Sequence, residues 1–146
     1  RQFVSIAVGW GGVYGLIQRG SERVIPGTVY TYSLEGKAEY PEYSEYQRTS
    51  LVSGVEYDAG KAEEGLGIYV TNCAFCHGVP GVDRGGVLPN LGYSDASTIE
   101  NLELFVLQGA LAHQGMPNFG ERLKQDDVEK IRAFIMSTAD AIRPTE

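Results

Sequence analysis

Cys73, Cys76 and His77 stand within five residues, in the run V-T-N-C-A-F-C-H-G-V-P at 70–80. The 146-residue chain holds two cysteines and two histidines in all, so this one run takes both thiols and one imidazole. Three chemistries use such a set: a bound metal ion, an exchanging dithiol, or a covalently attached haem.

Zinc would draw on Cys73, Cys76, His77 and the distant His113, enough for a closed tetrahedral site. Zinc motifs, however, separate their ligand pairs, and three ligands in five residues crowd a tetrahedron. A thioredoxin-like dithiol follows a strand in a βαβ context. Here the pair closes a helical stripe. Haem c accounts for the spacing better. Residues three apart on a helical turn share a face, so both sulfurs can reach vinyl carbons of one porphyrin. His77, four residues after Cys73, falls over the same spot, and Cys-x-x-Cys-His is the signal for this attachment.

A haem iron held by His77 has three candidates for its sixth ligand. Met116 lies in H-Q-G-M-P-N-F-G (113–120), where Gly115 permits close backbone approach and Pro117 stiffens the exit. Met136 falls within the last apolar-periodic segment and reads as packing. His113 would give a bis-imidazole site. Met116 is the preferred reading, and a His/Met pair raises the reduction potential, which suits an electron relay. The other nitrogen of His77 needs an acceptor to fix its tautomer. The stretch L-P-N-L-G-Y-S-D (88–95) offers the Pro89 carbonyl. Arg84, just upstream, is placed to meet a haem propionate or to stand solvated in its loop.

These residues need elements to hold them. From Asp58 onward the apolar period is helical. Ala62, Leu66, Tyr69, Val70 and Cys73 form one stripe, with Asp58 as N-cap. A second helix is expected over 96–107, capped by Ser94 or Asp95, with Ile99, Leu102, Phe105 and Val106 inward. A third is expected over 125–139, with Val128, Ile131, Phe134 and Ile135 inward. Asp126, Asp127 and Glu129 suit the dipole at its start. Lys124 and Gln125 stand where a capping Ser or Thr is expected, so its first turn should fray. Segments 78–94 and 109–121 are long, glycine-rich and irregular, as functional loops are.

The first part of the chain reads differently. F-V-S-I-A-V-G-W-G-G-V-Y-G-L (3–16) suggests a buried strand, a glycine turn and a second short strand. G-T-V-Y-T-Y-S-L (27–34) suggests another strand. Two or three strands without a helix do not make a stable domain. Residues 35–53 are polar, with tyrosines at 40, 43 and 46 as anchors for a segment lying on a surface. The stretch 3–17 is too short and too broken by glycine to span a membrane, and no small-residue cleavage site follows it. The glycines of 9–15 miss the dinucleotide fingerprint, since Tyr14 occupies the third glycine position.

Residues 1–54 carry five basic and five acidic side chains, whereas 55–146 carry seven basic and fourteen acidic. The whole net charge of −7 therefore belongs to the part with the Cys pair. That argues against nucleic acid as a partner and for a solvated acidic surface, with a basic docking partner as the alternative.

With Cys73–His77, L-P-N-L-G-Y-S-D, G-M-P-N-F and the closing D-D-V-E-K-I-R-A-F-I in order, residues 58–146 resemble a class I c-type cytochrome. The resemblance implies a mainly α fold wrapping one haem c. It also implies Cys73 and Cys76 as covalent anchors, His77 and Met116 as axial ligands, and Pro89 as acceptor from His77. The segments 3–16, 26–38 and 73–102 together are similar to the C-terminal end of soluble quinohaemoprotein alcohol dehydrogenases. In that family a propeller binds pyrroloquinoline quinone (PQQ) and calcium, a linker follows, and a cytochrome domain closes the chain. This implies that 1–36 are the last propeller strands, 37–57 an irregular linker and 58–146 the cytochrome domain. It further implies periplasmic location, the PQQ propeller as electron donor, and an external acceptor such as a small copper protein or another cytochrome. PQQ, calcium and the catalytic aspartate belong to the propeller body, so no catalytic residue is expected here. The rival reading is a free-standing monohaem carrier whose first 54 residues fold onto the cytochrome. The dehydrogenase reading expects a chain cut to begin near Val55 to keep its stability; the rival expects a large loss.

Overall fold

The computed structural model describes residues 2–9, 27–40, 42, 50–82 and 88–144. Arg84, Tyr43, Tyr46 and the expected second strand after Gly9 lie outside the described residues. The described part is mainly helical, with one two-stranded sheet.

Strand β1 (Phe3–Val8) pairs antiparallel with β2 (Thr28–Ser33), in register from Phe3 opposite Ser33 to Val8 opposite Thr28. β-Branched and aromatic residues favour both strands. The expectation of a buried first strand is corrected: all six residues of β1 are exposed, Phe3 by 63%. Two paired strands satisfy backbone groups but provide no second layer to cover a face. Tyr40 does anchor here, its ring edge-on to Tyr30 at 5.3 Å and its hydroxyl 3.3 Å from that of Tyr32.

The helical unit begins with a single 3-10 turn, Ala59–Lys61, capped by the Asp58 carboxylate accepting from Gly60 N–H at 2.9 Å. Helix α1 (Ala62–Asn72) follows, then a short α2 (Ala74–His77). After an irregular stretch come α3 (Ala96–Glu100), α4 (Leu102–Val106) and the long α5 (Gln125–Ile142). The core forms where α1 crosses α5 and α4 closes over them. Tyr69, Ile99, Leu102, Val106, Val128, Ile131, Ile135 and Met136 are buried in it.

The packed stripe of α1 differs from the expected one. Gly65, Tyr69 and Cys73 are buried, while Leu66 and Val70 stay 46% and 57% exposed. The reason is the crossing itself: Gly65 lies against the Lys130 carbonyl of α5, so the contact line follows 65, 69 and 73 at helical i, i+4 spacing. The expected second helix is two. It breaks at Asn101, and the carbonyls freed at the end of α3 are taken by one side chain of α5. Arg132 donates from Nε to Ile99 O at 3.1 Å and from Nη2 to Glu100 O at 3.0 Å. Of the two expected caps, Asp95 serves, accepting from Thr98 N–H at 2.7 Å and holding its carboxyl below the usual carboxylate range through Ser97 and Thr98.

The start of α5 is held rather than frayed. Asp127 accepts the Lys124 N–H at 2.8 Å, one half of a capping box. Asp126 bridges Lys130 and Lys61, both at 2.8 Å. Lys130 first, and Lys61 second, depress the Asp126 carboxyl to about 2, from an ordinary 3.8. A depressed carboxylate contributes stability above its unfolded pKa and loses it as pH falls through the folded one. The melting temperature should therefore fall between about pH 4 and pH 2, and Asp126→Asn should lessen that fall in a pH series of thermal melts.

Residues 50–57 form a strap across the helical unit. Val52 and Val55 are buried. Val52 N–H donates to Gly92 O at 2.9 Å, and Arg143 Nη2 donates to Val52 O at 2.7 Å. Tyr57 Oη donates to Asp140 at 2.8 Å, which raises the phenol pKa, and Arg143 grips the same carboxylate. A cut at Val55 thus removes a buried side chain worth about 2 kcal/mol. Chains beginning at residue 50 and at Val55 should differ in melting temperature by roughly 10 °C, the longer being the more stable. Because this strap belongs to the helical unit under either reading, the cut that separates the dehydrogenase reading from the free-standing carrier is the one at residue 50, not the one at Val55.

Candidate haem site

Cys73 sits at the joint between α1 and α2, with φ −119° and ψ −38°. Its carbonyl accepts from both Cys76 N–H (3.1 Å) and His77 N–H (2.9 Å), so the pentapeptide closes as one helical turn. Gly78 ends that turn at φ +68°, a conformation glycine adopts without strain. The Gly78 carbonyl receives the buried Tyr69 hydroxyl at 2.9 Å, which fastens the turn to the core.

The two sulfurs are not joined to each other. Cys73 is buried and Cys76 exposed. Burial, and secondarily the neighbouring Cys76, push the Cys73 thiol up to about 11. Among the described residues no group of three or more His, Cys, Asp or Glu could hold a metal ion. His113 is exposed, with its Nε2 3.1 Å from the Gln114 amide.

His77 Nδ1 lies 2.7 Å from the Pro89 carbonyl oxygen. A carbonyl only accepts, so Nδ1 carries the proton and Nε2 presents its lone pair. The Pro89 carbonyl comes from an irregular stretch that is nonetheless well tied. Asn90 accepts from Gly92 N–H at 2.9 Å, and Tyr93 Oη donates to Gly81 O at 2.9 Å.

Met116 follows Gly115, which takes φ +95°, and packs half-buried against the core cluster that includes Cys73. Met136 is fully buried within that core. The Met116 segment is pinned at both ends. Met116 N–H donates to Leu111 O at 3.3 Å and Phe119 N–H to Val106 O at 2.8 Å. Arg122 lies over the Phe119 ring at 5.5 Å and donates to Asn72 Oδ1 at 2.5 Å, one residue before Cys73. Neither Arg122 nor Asn90 is singled out by sequence pattern. Their only local signals are an Asn after Pro and a basic residue after a glycine-rich stretch.

The donor set thus fits a covalently held haem: two thiols on one turn, an imidazole with its metal-binding nitrogen free, and a thioether packed on the same core. The structure brings Cys73, Cys76, His77 and Pro89 together directly, and Met116 onto their supporting core.

Comparison with known proteins bears on the same region. The family model described as "Cytochrome C oxidase, cbb3-type, subunit III" matches residues 60–135, just over half of the chain. The 1-butanol dehydrogenase (cytochrome c) of Thauera butanivorans is 61% identical over 99% of this chain. The quinohemoprotein alcohol dehydrogenase of Comamonas testosteroni is 60% identical over the same share. Its crystal structure superposes with a TM-score of 0.80, covering 99% of this chain and 21% of that one. The chain spans about a fifth of the length of these relatives. It belongs to the family whose model it matches and is a c-type cytochrome domain, with haem c as its cofactor.

Proposed function

We propose that this chain is the electron-transfer unit of a periplasmic quinohaemoprotein alcohol dehydrogenase, taking single electrons from reduced PQQ and passing them to an external acceptor. The observation that supports it most is the match of nearly the whole chain, strands included, to one fifth of a quinohemoprotein alcohol dehydrogenase and of a 1-butanol dehydrogenase (cytochrome c), at about 60% identity. Cys73 and Cys76 anchor the haem through thioethers. His77 Nε2 and Met116 Sδ are the atoms that would bind its iron, and the Pro89 carbonyl keeps the His77 ring oriented. When bound, the haem supplies a one-electron Fe(III)/Fe(II) couple, and a filled sixth position suits outer-sphere transfer rather than oxygen chemistry.

Residues 1–36 are then the end of the propeller, and the exposed apolar side chains of β1 are covered by the body that precedes them. Residues 37–57 link the two, their last eight fastened to the cytochrome domain of 58–146. Among the described residues no helix is long and apolar enough to cross a membrane. PQQ, calcium and the alcohol belong to the propeller body, so the chain alone should cycle electrons without oxidising alcohol.

The test is optical. The purified protein should show a Soret band, sharp α and β bands on reduction, and a pyridine haemochrome that resists acid–acetone extraction. A colourless preparation, or a haem that extracts freely, would overturn the reading.

A further inference from the structure

Asn90 is the buried polar side chain of the described core, only 5% exposed. Its Oδ1 accepts two backbone N–H groups, Gly81 at 2.8 Å and Gly92 at 2.9 Å. Its Nδ2 donates to Val79 O at 2.8 Å. Val79 and Gly81 lie two and four residues after His77, while Asn90 directly follows Pro89, whose carbonyl receives His77 Nδ1–H. One side chain therefore clamps the backbone leaving the imidazole to the backbone carrying the imidazole's acceptor. The approach is close on both sides: a Cβ on Gly92 would strike the backbone of Gly81.

We propose that Asn90 is the positioning residue for His77, acting through Pro89. By fixing the carbonyl against the Nδ1–H it sets how firmly that proton is held and hence how strong a donor Nε2 is. A partner that holds the outer nitrogen orients a metal-binding histidine and raises its basicity. A more basic imidazole favours the more highly charged Fe(III), so a loosened carbonyl should raise the reduction potential. The inference rests on the haem reading above. Its own content is the coupling of a buried amide to the imidazole's outer proton.

The test compares Asn90→Ala, Asn90→Asp and Tyr93→Phe with the parent, all haem-loaded. Asn90→Ala removes the hydrogen bonds to Gly81, Gly92 and Val79. Asn90→Asp keeps the shape and the two accepted bonds but loses the donor to Val79, and it serves if the alanine variant does not fold. Tyr93→Phe removes a bond to Gly81 O on the far side of the clamp and leaves the hydrogen bonds of the Asn90 side chain in place. Exchange of the His77 Nδ1 proton, followed by NMR in the reduced protein, should be about tenfold faster in Asn90→Ala. It should be intermediate in Asn90→Asp and unchanged in Tyr93→Phe. The potential should rise in Asn90→Ala and stay at the parent value in Tyr93→Phe, and the melting temperature should fall in all three. If the Asn90 variants melt lower yet keep the parent potential and exchange rate, Asn90 is structural only and the inference fails. An equal shift in Tyr93→Phe fails it too. A parent protein without a His77-ligated haem would instead overturn the functional reading, so the two failures are distinguishable.

Discussion

Met116→Ala should convert the haem-loaded protein from low-spin to high-spin and lower its reduction potential by on the order of 0.1–0.2 V, a fraction of the roughly 0.8 V that axial ligands span. A thioether favours Fe(II) relative to water, and alanine leaves the sixth position to water or to nothing. Polypeptide stability should change far less. Met116 is half-buried at the edge of the core, and its segment is held independently by Phe119 N–H on Val106 O and by Arg122 on Asn72. The absorption spectrum and a potentiometric titration decide it. An unchanged spectrum would move the ligand to His113, since Met136 is committed to the core.

The second large effect is expected from one carbon. Gly65→Ala should destabilise the protein by about 3 kcal/mol, lowering the melting temperature by roughly 10–20 °C. A Cβ there would overlap the Lys130 carbonyl and stand 3.0 Å from Phe134 Cβ. Backbone cannot yield as a flexible side chain can, so α1 and α5 must separate. Separation also loosens Tyr69, whose ring lies 5.2 Å from that of Phe134 and whose hydroxyl holds the Gly78 carbonyl. The damage therefore reaches the Cys73–His77 turn. Gly67→Ala, whose added Cβ would meet nothing within 4 Å, is the control. With no contact to break, it should be neutral or slightly stabilising through helix propensity.

These two glycines show where sequence reading stops. The helical periods of 62–72 and 125–142 are visible because apolar spacing is a local property. The Cys-x-x-Cys-His signal is visible for the same reason. Gly65 has no local mark, since a glycine inside a helix looks like a weakness until its partner carbonyl, 65 residues later, is known. Leu66 and Val70 accordingly took its place in the expected stripe. The break at Asn101 was invisible for a matching reason: Arg132, 31 residues further along the chain, supplies the donors that make the break tolerable. The buried Val52 went unrecognised because a strap has no period at all. Asn90 sits in a stretch singled out for its neighbour's carbonyl, yet its own role emerges only when three backbone groups converge on it. The helical architecture is thus written locally, while the residues that aim the site are fixed by long-range contacts.

The Arg143 guanidinium rests on the Val52 carbonyl, so the polypeptide enters and leaves the helical unit at one point of its surface. A body with adjoining ends behaves as a pendant: it can be hung from another protein by a single join, set into a surface loop, or circularly permuted without disturbing its interior. Such geometry lets the same electron carrier be transplanted among hosts, because only the stalk, not the bead, has to be rebuilt.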